Sequence, residues 1–405
     1  MPETGRLPAW LVKFGPVGLI AGLVLHGITI AIWPAHRVLI DTEVYRAGAR
    51  AVLNGHELYA GGLVAGFPFT YPPIAALLFT PLAFMPLGGA RIFAGVGNIV
   101  LLGLAVYFTL RHLRLAQDRR VLIAGTLFLT GALFWLQPVR TTMFLGQVNL
   151  LLMVLVLVDL LKPDSSRWKG VGVGLAAAIK LTPAIFVVYL LVTRRFRAAG
   201  VAVAAFAATV LIGWAVLPGD AKQFWLHTFF NSNRVGPASA SSNQSINGLI
   251  ARLTNTDTPS GLAWFLVAGA VGIAGVLLAA WTSRRGEELL ALCLVGMTAT
   301  AVAPFSWDHH WVWFVPLSLL LLRYAVNGGA RGWSYLAAFY VLTFAWLVSF
   351  PPRNAARTPF TGVISLELPQ PLHLITGNLY LLILLTTAAV AIHSLRHTKT
   401  PALQP

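Results

Sequence analysis

The sequence predicts an all-α protein that crosses a membrane many times, and three observations lead to that prediction. Of its 405 residues, 57% are hydrophobic and only 10% are charged, and the mean hydropathy is +0.75. Apolar runs long enough for membrane helices recur along nearly the whole chain. The Lys and Arg residues that give the net charge of +16 lie in short tufts between these runs. A soluble domain cannot bury so much apolar surface, and a membrane β-barrel has short alternating segments instead.

The basic tufts indicate how the chain is oriented in a bilayer. Short loops rich in Lys and Arg favour the cytoplasmic side, so the charge predicts a lipid bilayer and no nucleic acid as partner. Cys293 is the only cysteine and lies in an apolar run, so we expect neither an intramolecular disulfide nor a thiolate metal site.

The apolar segments predict about 12 transmembrane helices in a single integral domain, 1–405. The first, at 15–33, is longer than the core of a signal peptide and is expected to remain as a membrane helix. The other apolar segments lie at 71–87, 90–110, 120–137, 147–161, 170–193, 198–217, 261–281, 287–304, 310–323, 332–350 and 372–393.

Two of these segments are not expected to be single spans. Segment 71–87 contains four prolines, which predicts a short hairpin that does not cross the bilayer. Segment 170–193 has Lys180 and Pro183 at its middle, which predicts two short helices that meet near the outer surface. With these two changes every basic tuft is cytoplasmic, and so are both termini.

This topology places the chemically versatile segments on the outer side, together with helices that lie along the membrane there. The first extracytoplasmic loop, with the proline hairpin, covers 36–87, and a long one covers 218–260. The remaining outer segments are 137–149, 306–311 and 351–371. The sequence therefore predicts an extracytoplasmic active site on a multi-pass plasma-membrane base.

Asp41 begins the segment DTEVYRAGARAVLNGHELY, which predicts an amphipathic helix along the membrane surface. Glu43 and Arg46 lie on its polar face, whereas Val44 and Ala47 lie on its apolar face. Two roles are open for Asp41, and one residue can fill both. It is either the N-cap of this helix, a common position for Asp, or a catalytic carboxylate held against the bilayer.

His309 and His310 lie in SWDHHWVW, at the outer start of a predicted helix. Adjacent residues diverge by about 100° on a helix, so the two rings are not expected to share a face. One interpretation is an interfacial belt of tryptophans with a solvated pair of histidines. The other is that one histidine donates to a substrate phosphate or to a sugar hydroxyl.

Lys180 is embedded in the apolar stretch AAAIKLTPAIF. A lysine in hydrocarbon is costly and normally faces a polar cavity, which favours a role in holding an anionic head group. The alternative is a side chain that extends to the surface of the bilayer.

Several amides and one arginine are further candidates for binding a sugar or an acceptor. Gln147 and Asn149 lie at the outer end of a helix, and Asn243 and Gln244 lie in the long outer loop. Amides suit sugar hydroxyls, although they also cap helices and populate loops. Arg353 is an outer cation that suits a phosphate or pyrophosphate.

Several nucleotide-binding patterns are absent from the sequence. It contains no GxxxxGK[ST] loop, no dinucleotide fingerprint behind a strand and no Asp-x-Asp pair. Neither ATP nor a nucleotide sugar is therefore expected as a direct substrate.

The ordered motifs FTYPP, GQVN, KLTP, NQSINGL and SWDHHWVW, preceded by an acidic residue in the first outer loop, cover nearly the whole chain. In this order they resemble the polyprenol-phosphate-mannose-dependent mannosyltransferases of actinobacteria, membrane glycosyltransferases of the GT-C type. The resemblance implies a GT-C fold, a polyprenyl-phosphate-mannose donor and a mannosylated phosphatidylinositol acceptor joined by an α-1,2 linkage. Enzymes that add α-1,2 branches to lipomannan have similar motifs, so the acceptor stays open.

The resemblance also implies roles for the candidate residues. It makes Asp41 the catalytic carboxylate and leaves open whether Glu43 assists it. The residues expected near the donor phosphate are Lys180, His309 and His310. Those expected to line the sugar cavity are Gln147, Asn149, Asn243 and Gln244.

An α-mannoside made from a β-linked donor requires one displacement with inversion, for which one general base suffices. We therefore expect no metal and no cofactor. A lipid or sugar transporter is the competing class, because broken helices and an intramembrane lysine occur in transporters. A metal or haem protein would need ligands that the histidine spacing does not supply.

Overall fold

The structure is a computed structural model that describes residues 6–230, 236–345, 362–366 and 368–397. Arg353, a predicted sugar- or acceptor-binding residue, lies outside the described residues. Helices dominate the first half of the chain, which contains α1 (Leu11–Ile32), α2 (Ile40–Leu53), α3 (Pro73–Leu78), α4 (Thr80–Ala83), α5 (Leu87–Leu113), α6 (Arg119–Leu133), α7 (Gln137–Leu145), α8 (Asn149–Leu160), α9 (Val171–Ile179) and α10 (Ile185–Val192).

The second half is also helical. Its helices are α11 (Phe196–Val216), α12 (Pro218–Leu226), α13 (Ile246–Thr254), α14 (Gly261–Arg284), α15 (Glu288–Val302), α16 (Phe314–Thr343), α17 (Leu372–Thr376) and α18 (Leu379–His397). A two-stranded antiparallel hairpin, β1 (Gly62–Val64) with β2 (Phe67–Pro68), is a small departure from the predicted all-α fold.

Five of the described helices are long and apolar enough to cross a membrane, which confirms the multi-pass class predicted from the sequence. They are α1, α5, α11, α14 and, within α18, Leu379–Arg396. Shorter apolar helices accompany them at Asn149–Leu160, Thr182–Val192 and Glu288–Val302. The total of about 12 crossings stays a prediction.

The two segments singled out by proline and lysine are broken in the structure. Segment 71–87 folds into the short helices α3 and α4, neither of which is long enough to span. In segment 170–193, α9 ends at Ile179, and Lys180 is extended at φ −150° and ψ 131°. A short 3₁₀ turn then leads into α10. The break falls at Lys180, as the sequence predicted.

Two boundaries differ from the predicted ones. Residues 137–145, predicted as outer loop, form helix α7, because Pro138 near its start and Gly146 after its end supply ordinary helix boundaries. Residues 314–323 and 332–343 of the predicted segments 310–323 and 332–350 belong to one element, α16, which is interrupted at Gly329 with φ +65°.

Close approach of small residues joins the first helix to the bundle. A Cβ on Gly22 of α1 would lie 2.8 Å from the carbonyl oxygen of Gly131 on α6. Without a side chain at either position the two backbones touch, which is how membrane helices commonly associate.

Three of the predicted basic tufts, at 194–197, 283–285 and Arg323, lie together at one end of the molecule. Arg195 donates to Glu288, and Arg323 donates to Glu287, each at 2.6 Å. Tufts from three distant parts of the chain therefore meet. The cavity described next lies at the other end of α8 and α9, so the segregation of charge predicted from the sequence is present in the fold. Which end faces the cytoplasm stays a prediction.

Candidate active site

A cavity of about 790 Å³ is lined by five of the nine predicted site residues that the structure describes. Its polar wall includes Asp41, Gln147, Lys180, Asp308, His309 and His310. Its apolar wall includes Phe67, Phe144, Leu145, Phe224, Phe229 and Phe305. A cavity of this size, mostly apolar with a few convergent polar groups, is typical of a site for a small molecule or a head group.

Asp41 lies in the first turn of α2 but does not cap that helix. The residue at the N-cap position is Leu39, and no side chain caps the helix there. Instead, Asp41 Oδ2 accepts a hydrogen bond of 2.6 Å from Gln147 Nε2. The N-cap interpretation is wrong, and the carboxylate faces the cavity.

The amide of Gln147 is oriented by two tyrosines. The hydroxyls of Tyr45 and Tyr71 donate to Gln147 Oε1 at 2.8 and 3.0 Å. With its oxygen occupied, the amide has only its Nε2–H to present to Asp41. The carboxylate is thus positioned by a neutral donor held in a buried aromatic network.

Gly146 allows α2 to come close enough for this contact. It ends α7 in the left-handed region at φ +72°, and a Cβ there would lie 2.1 Å from Thr42 Oγ1. Thr42 instead donates to the Gly146 carbonyl at 3.0 Å. This bond fixes α2 against the start of the segment that carries Gln147.

Lys180 extends into the cavity from the break between α9 and α10. Its Nζ lies 2.9 Å from His310 Nε2 and 3.3 Å from Asn149 Oδ1. Both of these partners are neutral groups when His310 is unprotonated. Within the described part of the chain Lys180 has no carboxylate within ion-pair distance.

His310 is the partner of this lysine. Burial lowers the pKa of His310 well below its usual value, and the charges of Lys180 and His309 lower it further. A neutral His310 accepts from Lys180 at Nε2, which leaves Nδ1–H to face Ser306 Oγ at 3.4 Å. His310 therefore orients Lys180 rather than offering a second donor to a ligand.

His309 and the tryptophans are not solvated. The His309 side chain is 4% exposed, and Trp311 and Trp313 are buried in the core. The interpretation as an interfacial belt with a solvated histidine pair is therefore wrong for these residues. A tight 3₁₀ turn at Asp308–His310 brings the two rings edge to face at 4.7 Å, so both reach the cavity wall despite being adjacent.

The electrostatics of Asp41 favour a base. Burial raises its pKa above the usual range, and this effect outweighs the opposing influence of His309, the Gln147 hydrogen bond and Lys180. A carboxylate with a raised pKa is a better proton acceptor than an exposed one.

Four predicted residues lie away from the cavity lining. Glu43 forms an ion pair with Arg91 on the other face of α2. Its side chain therefore does not line the cavity that Asp41 faces. Asn149 lies beneath the wall, where its Nδ2 donates to the His309 carbonyl at 2.9 Å. It supports the site but does not line it.

Asn243 and Gln244 are also behind the wall, and both are fully buried. Asn243 Oδ1 accepts from the backbone of Ser306 at 3.0 Å. Gln244 Nε2 donates to the Gly377 carbonyl at 2.7 Å, and its Oε1 accepts from Tyr380 N at 3.0 Å. Their predicted role in lining a sugar cavity is wrong, because these amides connect the loop to SWDHHW and to the start of α18.

The sequence interpretation missed Tyr71, Gln137 and Thr141 as members of the wall, which also includes Asp308. Gln137 and Thr141 are four residues apart on α7, so both face one way. That spacing was visible, but the segment was predicted as loop. No group of three or more His, Cys, Asp or Glu side chains in the described ranges is arranged to hold a metal.

A carboxylate, a lysine and histidines around one cavity on a helical membrane base are groups that a membrane glycosyltransferase can use as its base and its anion site. The chain belongs to glycosyltransferase family 87, whose model matches residues 69–304.

Curated relatives match over most of the chain. A polyprenol-phosphate-mannose-dependent alpha-(1-2)-phosphatidylinositol mannoside mannosyltransferase of Mycobacterium tuberculosis is 35% identical, over 82% of this chain and 80% of its own length. A polyprenol-phosphate-mannose-dependent alpha-(1-2)-phosphatidylinositol pentamannoside mannosyltransferase of Mycolicibacterium smegmatis is 35% identical, over 86% of this chain and 85% of its own length. No solved structure matches.

Proposed function

We propose that this protein transfers mannose from polyprenyl-phosphate-mannose to a mannosylated phosphatidylinositol, forming an α-1,2 linkage with inversion. The single observation that carries the proposal is the half-buried Asp41 carboxylate in a cavity that also contains Lys180 and His309. The names of the relatives support the choice of donor and acceptor.

The chemistry needs one base and one anion site. Asp41 takes the proton from the 2-hydroxyl of the acceptor mannose while that oxygen bonds to C1 of the donor mannose. The bond between C1 and the phosphate oxygen breaks on the opposite face, and the lipid phosphate leaves with the bonding electrons. Gln147 keeps one oxygen of Asp41 occupied, so the other is available for the proton.

Lys180 and His309 stabilise the charge that grows on the leaving phosphate. Lys180 is held by the neutral groups of Asn149 and His310, so its positive charge is not neutralised by a protein carboxylate within ion-pair distance in the described ranges. In a site of low dielectric an oriented cation of this kind lowers the barrier strongly.

The proposal places the cavity on the extracytoplasmic face, with 36–87 and 218–260 as extracytoplasmic loops and both termini inside. The concentration of basic tufts at the opposite end of the molecule supports this orientation. A nucleotide sugar stays in the cytoplasm, whereas a lipid-linked mannose can reach this face, which supports the lipid-linked donor.

The test is transfer by the purified protein in lipid nanodiscs. Radiolabelled polyprenyl-phosphate-mannose is supplied with a panel of mannosylated phosphatidylinositols and with lipomannan, with and without EDTA. A nucleotide sugar replaces the lipid donor in a parallel reaction. We expect product from the lipid donor alone, on a phosphatidylinositol mannoside, and equally in EDTA.

Asp41→Asn is the decisive variant, with Asp118→Asn as its matched control. Loss of the base is expected to reduce turnover by roughly 10²–10⁴-fold. Asp118 caps α6 by accepting from Val121 N, a role that Asn also fills, so its replacement should leave transfer unchanged. Full activity of Asp41→Asn would contradict the mechanism. Product on lipomannan alone would change the acceptor, and no product with any acceptor would favour a transporter.

A further inference from the structure

Asp308 is a second carboxylate on the cavity wall, and the reaction just described does not use it. It is buried, with its side chain 6% exposed. One oxygen, Oδ2, accepts from Thr141 Oγ1 at 2.6 Å and from Gln137 Nε2 at 3.1 Å. Both donors lie one turn apart on α7, so a rigid element fixes the plane of the carboxylate. Neither of these two donors bonds to the other oxygen, Oδ1.

Oδ1 of Asp308 faces His309. The separation from His309 Nδ1 is 3.6 Å, just beyond the distance of a direct hydrogen bond. The backbone of His309 is fixed, because Asn149 Nδ2 donates to its carbonyl at 2.9 Å.

The ring of His309 has hydrogen-bonding capacity that the described residues do not satisfy. Both Nδ1 and Nε2 are buried without a hydrogen-bond partner there. Buried polar atoms are nearly always paired, so two unpaired nitrogens on a cavity wall point to a ligand. The two nitrogens lie on opposite edges of an imidazole, so Nε2 is directed away from Asp308.

We propose that Asp308 is a positioning residue that acts through His309, holding Nδ1–H so that Nε2–H is presented to a phosphate oxygen of the donor. In a protonated imidazole both nitrogens are donors, and Asp308 and the phosphate each accept from one. This inference rests on the function proposed above, and it adds a residue that never touches the substrate.

The test is a double-mutant cycle with Asp308→Asn, His309→Gln and the double variant in nanodiscs. Asn can still accept from α7, but it presents an amide donor to Nδ1, so Nδ1–H loses its acceptor. Charge-assisted hydrogen bonds are stronger than neutral ones, and we expect kcat to fall about 10-fold while KM for the acceptor stays within about 2-fold. His309→Gln keeps a donor near the position of Nε2 and should cost a similar factor.

The double variant separates positioning from mere packing. If Asp308 acts only through His309, the double variant is no slower than the slower single variant, within about 2-fold. If the two losses multiply, or if Asp308→Asn lowers only the thermal unfolding midpoint, the proposal is overturned.

Asp159→Asn is the matched control for loss of a buried carboxylate. Asp159 is 1% exposed and accepts from Gly170 N at 2.8 Å, at the end of α8 away from the cavity. Its replacement should lower the unfolding midpoint and leave kcat per folded protein unchanged. A kcat loss like that of Asp308→Asn would show that the kinetic effect is not specific, and would overturn the inference.

A binding measurement keeps this test separate from the test of function. Polyprenyl phosphate, without the sugar, is titrated into nanodiscs that contain each variant. If the double variant binds polyprenyl phosphate no more weakly than the weaker single variant, the Asp308 and His309 pair is supported even if the wild type makes no product. Multiplying losses overturn the pair even if transfer by the wild type is as proposed.

Discussion

The two ends of α8 and α9 hold charged groups in opposite ways. At one end is the ion-pair cluster, which we define by its residues Asp159, Lys162, Asp164, Lys169, Arg195 and Glu288. There each carboxylate has a cation within ion-pair distance. At the other end is the cavity, where the hydrogen bond to Asp41 comes from the neutral amide of Gln147. The distance between the ends is only about 18 Å, the length of a 12-residue helix.

The carboxylate pKa values reflect this difference. Burial opposes the charge of Asp164, but hydrogen bonds and charges from Lys169 and Arg195 outweigh burial and lower its pKa. At Asp41 burial outweighs every opposing influence and the pKa is raised. A carboxylate that is fully paired stabilises the fold, whereas one that is under-compensated keeps its affinity for a proton.

The lysines of the two regions, Lys169 and Lys180, differ in the same way. Lys169 donates to Asp164 Oδ1 at 2.6 Å and to the Lys162 carbonyl at 2.7 Å, so its charge is neutralised within the protein. Lys180 lies against His310 and Asn149, and its charge is available to an anion. The charge of Lys180 in the cavity is therefore left to bind a ligand, whereas the charges of the ion-pair cluster stabilise the fold by pairing with one another.

The largest effect after loss of Asp41 is expected at Lys180. Lys180→Gln keeps a hydrogen-bond donor but removes the charge that faces the leaving phosphate. Turnover should fall by roughly 10²–10³-fold, the usual cost of one oriented donor at a developing anion. Steady-state transfer in nanodiscs measures it, and Lys169→Gln in the ion-pair cluster is the control. If the two variants lose turnover equally, the cavity and the ion-pair cluster do not differ in their contribution to catalysis.

The pH dependence of transfer should follow Asp41. A base acts in its ionised form, and its raised pKa moves the loss of that form to higher pH than for an exposed Asp. As pH falls through the pKa of Asp41, activity should fall about 10-fold per unit. Turnover measured across pH with unfolding monitored in parallel checks this. If turnover stays constant as the pH falls to the usual pKa of an exposed Asp, Asp41 is not the base.

A smaller effect is expected at Gln147. Gln147→Leu removes the donor to Asp41 and leaves the hydroxyls of Tyr45 and Tyr71 without their shared acceptor. A hydrogen bond to a charged group contributes about 1.5–3 kcal/mol, so turnover should fall roughly 10-fold or more. Gln147→Glu should also lose activity, because a second carboxylate would oppose ionisation of Asp41. Retained activity in both variants would show that the amide does not position the base.

The smallest kinetic effect is expected in the ion-pair cluster. Glu288→Gln weakens the pair with Arg195, whose side chain is 18% exposed, and should reduce the free energy of unfolding by roughly 1–3 kcal/mol. Turnover per folded protein should change less than 2-fold. Chemical denaturation and transfer assays on one preparation separate the two quantities. A large kinetic loss without a stability loss would mean that the two ends are coupled.

Much of the fold follows from local features of the sequence. The apolar runs predict the helices, and Lys180 with Pro183 predicts the break between α9 and α10. The charge pattern of 41–59 predicts the amphipathic helix α2, found at Ile40–Leu53. These features depend on the period of the hydrophobic residues, the length of the apolar runs and the effect of proline on the backbone. A short stretch of sequence contains all three.

The roles of the polar residues did not follow in the same way. Gln147 and Gln244 have the same side chain and both lie near helix starts, yet one faces the cavity and the other binds Gly377 O behind it. Glu43 and Asp41 are two residues apart, and only Asp41 faces the cavity. Which of them meets a ligand depends on contacts with residues about a hundred positions away.

The sequence by itself determined a basic, multi-pass helical membrane protein, the place of its broken helix and the family-like order of its motifs. The tertiary structure decided that Asp41 is not a helix cap, that His310 accepts a hydrogen bond from Lys180, and that Asp308 faces His309. The physical reason is range. Hydrophobic periodicity acts over one or two helical turns, whereas the state of a buried charge is set by every group that the fold brings within a few ångströms of it.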